Sequence, residues 1–120
     1  MSRLLFMISK GFEKSGGATR AMQFPALAAE QGNQVEVALI DDAIHWAQLG
    51  MVEGTRSTTG EQMGEMLDRL TTAGGILHVC KACAEKRYVD PDEWSDKAVI
   101  TAGPDIVRCL ADPETKVVSF

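Results

Sequence analysis

Hydrophobic positions along the chain switch repeatedly between strand and helix periods. Residues 3–9 form a nearly continuous apolar run, Leu4 through Ile8, of the kind shown by a strand buried on both faces. Residues 10–17 read as loop. Over residues 18–31 the spacing becomes helical through Ala21, Met22, Leu27 and Ala28, with Gly32 as the stop and Pro25 expected to kink or restart the helix. Residues 34–40 alternate as Val35, Val37 and Leu39, which predicts a second strand. Asp41 and Asp42 then cap a short helix through Gln48.

A polar, glycine-containing loop at 50–60 closes on Thr58, Thr59, Gly60 and Glu61, a capping-box pattern ahead of a helix carrying Met63, Met66, Leu67 and Leu70. Gly74 and Gly75 end that helix. Residues 76–80 give a third strand, 81–88 a short basic helix, 91–95 a turn or one helical turn and 98–101 a fourth strand. Pro104 opens a helix to about residue 111, and 115–120 is the closing strand.

Five strands alternating with helices predict an α/β fold: a three-layer, mostly parallel five-stranded sheet with helices on both faces and right-handed crossovers. The flavodoxin-like order 2-1-3-4-5 is the expected one. It puts the crevice between the carboxyl ends of the first and third strands, so the 10–17 loop and Cys80 would share a site.

A chain of 120 residues with 45% hydrophobic positions is expected to fold as one domain over 1–120. The net charge of −5, without long charged runs, argues against nucleic-acid binding through a cationic face and for a protein or small-molecule partner. No apolar run approaches the roughly 20 residues of a membrane helix, and no cationic leader precedes the first strand, so a cytoplasmic location away from membranes is expected. Three cysteines are too few and odd in number for a disulfide framework, which predicts reduced, available thiols.

The chemistry concentrates at Cys80, where an apolar strand ends on a thiol and a basic helix follows. First-turn amides, the helix dipole, Lys81, Lys86 and Arg87 are expected to favour the thiolate there. Burial as a small hydrophobe is the competing reading. Cys83 completes a Cys-x-x-Cys pair, the spacing of dithiol oxidoreductases, although the pair follows the third strand and lacks an aromatic-Gly-Pro setting, and packing under the helix is its competing reading. Zinc donors are conceivable in His78, Cys80, Cys83, Cys109 and His45. They do not form two closely spaced pairs, so no metal is expected; His78 reads as a hydrogen-bonded strand residue and Cys109 as core.

The loop Gly11-Phe-Glu-Lys-Ser-Gly-Gly-Ala-Thr19 fails both the P-loop and the dinucleotide spacing. Its Ser15, Gly16 and Gly17 could still let backbone approach an anion or a persulfide closely. Asp41 and Asp42 would suit a ribose only if a nucleotide fingerprint were present. Trp46, Met51 and Met63 read as packing groups.

Taken together, the opening strand, the segment Ala18-Thr-Arg-Ala-Met-Gln-Phe24 with Leu27 and Gly32, His78-Val-Cys80 followed by Lys86 and Arg87, and the ending Lys116-Val-Val-Ser-Phe120 resemble the DsrE/TusD-type sulfur-relay family, the DsrEFH-like proteins. The resemblance implies that fold and a persulfide-carrying cysteine, a role that falls on Cys80. It also implies sulfur-donor and sulfur-acceptor proteins as partners and a homo-oligomer, trimer or hexamer. Arg87 matches the family's arginine; Tyr88 stands where a glycine usually follows, and Cys83 where a small apolar residue is commoner.

The expected function is therefore a sulfurtransferase-like relay. Cys80 carries sulfane sulfur as a persulfide and passes it to a partner thiol, without metal or organic cofactor, and Lys81, Arg87 and the Ser15–Gly17 loop support it. The alternatives are a dithiol/disulfide oxidoreductase using Cys80 and Cys83, and a non-catalytic docking subunit of a sulfur-metabolism complex.

Overall fold

A computed structural model of the chain describes residues 1–13, 19–57 and 59–120. Its strands are β1 (Arg3–Ile8), β2 (Gln34–Leu39), β3 (Ile76–Cys80), β4 (Ala98–Thr101) and β5 (Thr115–Ser119). The helices are α1 (Ser15–Glu30), α2 (Met63–Thr72), α3 (Lys81–Lys86) and α4 (Gly103–Ala111). All strand pairs are parallel, and the α/β class matches the sequence expectation.

The strand order is β4-β3-β2-β1-β5, which corrects the flavodoxin-like order. In the expected order β2 would be an edge strand. Instead Val35, Val37, Ala38 and Leu39 are all buried, and such a strand needs neighbours on both sides. It lies between β1 and β3, with Leu4 opposite Val35 and Val37 opposite Leu77. The edge position falls to β5, where Lys116, Val117 and Val118 are exposed.

Strands β1 to β4 advance in one direction, so right-handed crossovers put their helices on one face, and the return from β4 to β5 puts α4 on the other. The packing agrees. Phe6, Ile8, Val37, Leu39, Leu77 and Val79 meet Met22, Ala26, Met66 and Leu70 of α1 and α2 in the main core. Among the described residues α4 covers the second face, where Ile106 packs on Leu5 and Ala38 with Met7, Cys80 and Cys109 beside them.

Local signals fare unevenly. α1 runs through Pro25 without restarting. Gly74 ends α2 with φ 91, a left-handed value that glycine adopts without a Cβ penalty. Thr58, the first residue of the expected capping box, lies outside the described residues. The N-cap of α2 is Gln62, which makes no side-chain cap bond. Glu61 instead accepts from Thr59 at 2.8 Å and pairs with Arg69, which also binds Glu30 at 2.6 Å and so ties α2 to α1.

Candidate functional site

Three segments converge at the carboxyl edge of β1, β2 and β3. β1 leads into Lys10, Gly11 and Phe12. β2 leads through Ile40 into a 3₁₀ helix, Asp41–Ala47. β3 ends on Cys80, the N-cap of α3, extended at φ −62 and ψ 118, whose side chain makes no cap bond and is half-buried.

The first two segments are locked together. Trp46 is fully buried, stacks on Phe12 with ring centroids 4.3 Å apart, and donates Nε1–H to the Lys10 carbonyl at 2.9 Å. Gly11 makes the approach possible, because a Cβ there would lie 2.4 Å from the Asp42 carbonyl oxygen, an unyielding backbone atom. The absent side chain thus sets the height of the Asp41–Ala47 helix over the sheet edge.

That helix holds α3 through two consecutive residues. Asp41, in the left-handed region at φ 49, donates its backbone N–H to Cys83 Sγ at 3.2 Å. The Asp42 carboxylate accepts from Arg87 Nη2 at 3.0 Å and Nε at 3.3 Å, while Arg87 Nη1 reaches the Cys83 carbonyl at 3.4 Å. The N-cap of the 3₁₀ helix is Ile40, so the expected capping by Asp41 and Asp42 gives way to binding α3. A left-handed non-glycine residue in contact with a thiol is the kind of local strain that clusters at working sites.

Cys80 and Cys83 are both free and half-buried. Burial pushes the Cys83 thiol above its ordinary range. A side-chain hydrogen bond with Cys80 and the nearness of Cys80 and Asp41 act in the same direction, and the Asp41 amide opposes them.

The predicted residues are thus partly gathered. Cys80, Cys83 and Arg87 share one neighbourhood, and Lys81 is exposed on the first turn of α3. Arg87 is engaged by Asp42 rather than turned toward Cys80. Ser15, Gly16 and Gly17 lie outside the described residues. The expected crevice between β1 and β3 is not formed, because β2 fills that position, and the loop nearest Cys83 is the one after β2. Tyr88, at the glycine position of the family pattern, has φ 55 and is 91% exposed.

A second polar cluster lies on the α4 face. His78 Nε2 sits 2.7 Å from Glu36 Oε1, its Nδ1 sits 2.7 Å from Thr101 Oγ1, and the Cys109 thiol lies 3.7 Å from Glu36 Oε1. His78 is therefore hydrogen-bonded, as its strand position suggested. Burial and then the Glu36 charge push the Cys109 thiol up. His45 is elsewhere, 2.7 Å from Gln48. Among the described residues, no helix is long and apolar enough to cross a membrane.

The fold and the thiol pair define a class, a parallel α/β protein with paired cysteines where its third strand enters a helix. The DsrE/DsrF-like family model matches residues 2–120, and the chain belongs to that family. Solved structures share the fold. The ychN protein from E. coli aligns over 100% of both chains with TM-score 0.84 at 18% identity. MTH1491 from Methanobacterium thermoautotrophicum, a protein of unknown function, aligns over 100% of both with TM-score 0.71 at 15% identity. BT1422 from Bacteroides thetaiotaomicron, a conserved protein of unknown function, aligns over 98% of this chain and 94% of its own with TM-score 0.65 at 16% identity. No curated protein matches the sequence. Membership in the family is consistent with a sulfur-relay type of role at family level.

Proposed function

We propose that this chain is a sulfur carrier in which Cys80 holds sulfane sulfur as a persulfide. The observation that carries the reading is the position of Cys80. It sits at the carboxyl end of β3 and the start of α3, half-buried, with its side chain not used to cap the helix. A sulfur so placed keeps its reactive electron pair available while apolar neighbours restrict water.

In the proposed step the Cys80 thiolate attacks the outer sulfur of a donor persulfide. The bond between the donor's two sulfurs breaks, the donor leaves as a thiolate, and Cys80-S-SH forms. An acceptor thiolate then attacks the outer sulfur and releases Cys80 as thiolate, so no external oxidant or reductant is consumed. Lys81 is an exposed cation on the first turn of α3, and Arg87 holds α3 against Asp42. The natural partners on this reading are donor and acceptor proteins.

Mass spectrometry after incubation with a sulfane-sulfur donor tests the assignment. An adduct of one sulfur atom is expected on the Cys80 peptide and absent in Cys80→Ser; adducts of equal abundance on the other two cysteines in that variant would refute it. The spacing of two free thiols at the start of α3, Cys80 at its N-cap and Cys83 one turn on, favours a second reading, a redox dithiol. Its signature is a reversible Cys80–Cys83 disulfide in a redox titration and activity that disappears in Cys83→Ser, whereas the carrier retains sulfur loading in that variant.

A homo-oligomer also belongs to this proposal. The α4 face leaves Val99, Val117, Ile76 and Val107 at least 43% exposed, apolar surface that a second copy would cover. Sedimentation equilibrium checks it, a monomer at all concentrations being the contrary result.

A further inference from the structure

The α4 face carries a second polar cluster, built from residues other than Cys80 and Cys83. Glu36 from β2, His78 from β3 and Cys109 from α4 place a carboxylate oxygen, an imidazole nitrogen and a sulfur within 4.8 Å of one another. All three residues are half-buried, and they line a cavity of about 780 Å³ that opens toward the amino-terminal ends of β1, β2 and β3, while Cys80 packs further along the same face.

We propose that Glu36, His78 and Cys109 form a three-ligand site for a zinc-type divalent ion, with the fourth coordination position open to the cavity. Zinc takes these three donor types at about 2.0–2.3 Å, so ligand atoms around a tetrahedral ion stand about 3.3–3.8 Å apart. The Cys109 to Glu36 separation, 3.7 Å, already has that value, and the His78 to Glu36 separation, 2.7 Å, needs only a small opening. Softer thiolate and imidazole ligands select such an ion over magnesium or calcium.

The surrounding bonds orient the histidine for this use. Thr101 Oγ1 donates to the Val99 carbonyl at 3.2 Å, leaving its lone pairs for His78 Nδ1–H at 2.7 Å. That fixes Nε2 as the ring atom turned toward Glu36 and the proposed ion, the outer-shell arrangement common to metal-binding histidines. Loading displaces the proton held between Nε2 and Glu36 and the thiol proton of Cys109 to solvent. No oxidation state changes. One carboxylate and one thiolate then balance the ion's two positive charges, which suits a half-buried position.

The charged side chains around the cavity are already matched. Arg3 pairs with Asp112 at 3.0 Å and Arg108 with Asp105 at 2.6 Å, so the open position is not claimed by a neighbouring cation. A bound ion would fasten α4 to β2 and β3 on the face against which that helix packs.

The test uses the full chain, stripped with a chelator and titrated with zinc sulfate. Elemental analysis is expected to give one zinc per chain. Alkylation followed peptide by peptide is expected to show Cys109 protected about tenfold or more by zinc, with protection lost in Glu36→Gln and in His78→Gln. The protection measurement needs no substitution, so a poorly folded variant does not decide it. Equal alkylation of Cys109 with and without zinc, or protection that persists in a folded Glu36→Gln variant, overturns the proposal. Zinc held at Cys80 and Cys83 with Cys109 unprotected overturns it as well.

Discussion

The backbone amide of Asp41 lies 3.2 Å from the sulfur of Cys83 and donates to it, joining the end of β2 to the helix that begins at Cys80. The contact runs from a main-chain donor that every substitution of Asp41 except proline keeps, and it positions the second cysteine on α3. The position of Asp41 depends in turn on Gly11 and Trp46 beneath it.

Gly11→Ala should test that dependence. The new methyl group meets the Asp42 carbonyl oxygen at 2.4 Å, and forcing the two loops apart should cost about 1–3 kcal/mol of stability in urea denaturation. It should also speed alkylation of Cys83. Gly64→Ala is the matched control: it lies in α2, a Cβ added there would meet nothing within 4 Å, and the change should stabilise by about 0.5–1 kcal/mol.

Trp46→Phe should keep most of the stacking on Phe12 and remove the Nε1–H bond to Lys10. The carbonyl left without its donor makes the expected cost about 1–3 kcal/mol, measurable as a lowered denaturation midpoint with an unchanged m-value.

Stability should fall on the alkaline side, with Cys83 contributing beside Cys109. Its thiol is pushed above the ordinary value of 9.0, so the folded chain keeps a proton there after the unfolded chain has begun to lose it. The corresponding stabilisation is complete below the ordinary thiol range and is lost as pH rises through it toward the raised value. Melting temperatures followed from about pH 7 to about pH 10.5 should decline less steeply in Cys83→Ser than in the parent chain.

Tyr88→Gly should stabilise the chain. Tyr88 follows α3 with φ 55, a conformation costing a side-chain-bearing residue about 1 kcal/mol, and its ring is almost wholly in solvent. Glycine relieves the cost without losing packing, so the melting temperature should rise while the reactivity of Cys80 stays as it was.

The elements themselves were readable because period and punctuation are local. The run from Leu4 to Ile8 and the Gly74 stop each act within a few residues, and each appears where expected. Strand order is not local. It follows from which face each helix takes, and Ala38, small and buried on the α4 side of β2, carries no mark of that choice in the sequence. Cys80 was legible as the point where an apolar strand turns into a helix. Its surroundings were not, because Asp41 acts through its amide and Gly11 through a missing atom, and neither is visible in side-chain chemistry. Glu36 was hidden by alternation: between Val35 and Val37 it reads as a solvent-facing position, and only the return of the chain through α4 brings Cys109 above it.

The pairing of β5 alongside β1 has a practical corollary for handling the protein. Ser9 donates from its amide to the Phe120 carbonyl at 3.0 Å, and Phe120 donates to the Met7 carbonyl at 2.8 Å, so residue 120 emerges on the same rim as Cys80. Met1, 92% exposed, projects from the opposite rim. A fusion or affinity tag appended after residue 120 would crowd the approach of any macromolecule to the thiols, whereas one placed before residue 1 would leave that approach clear.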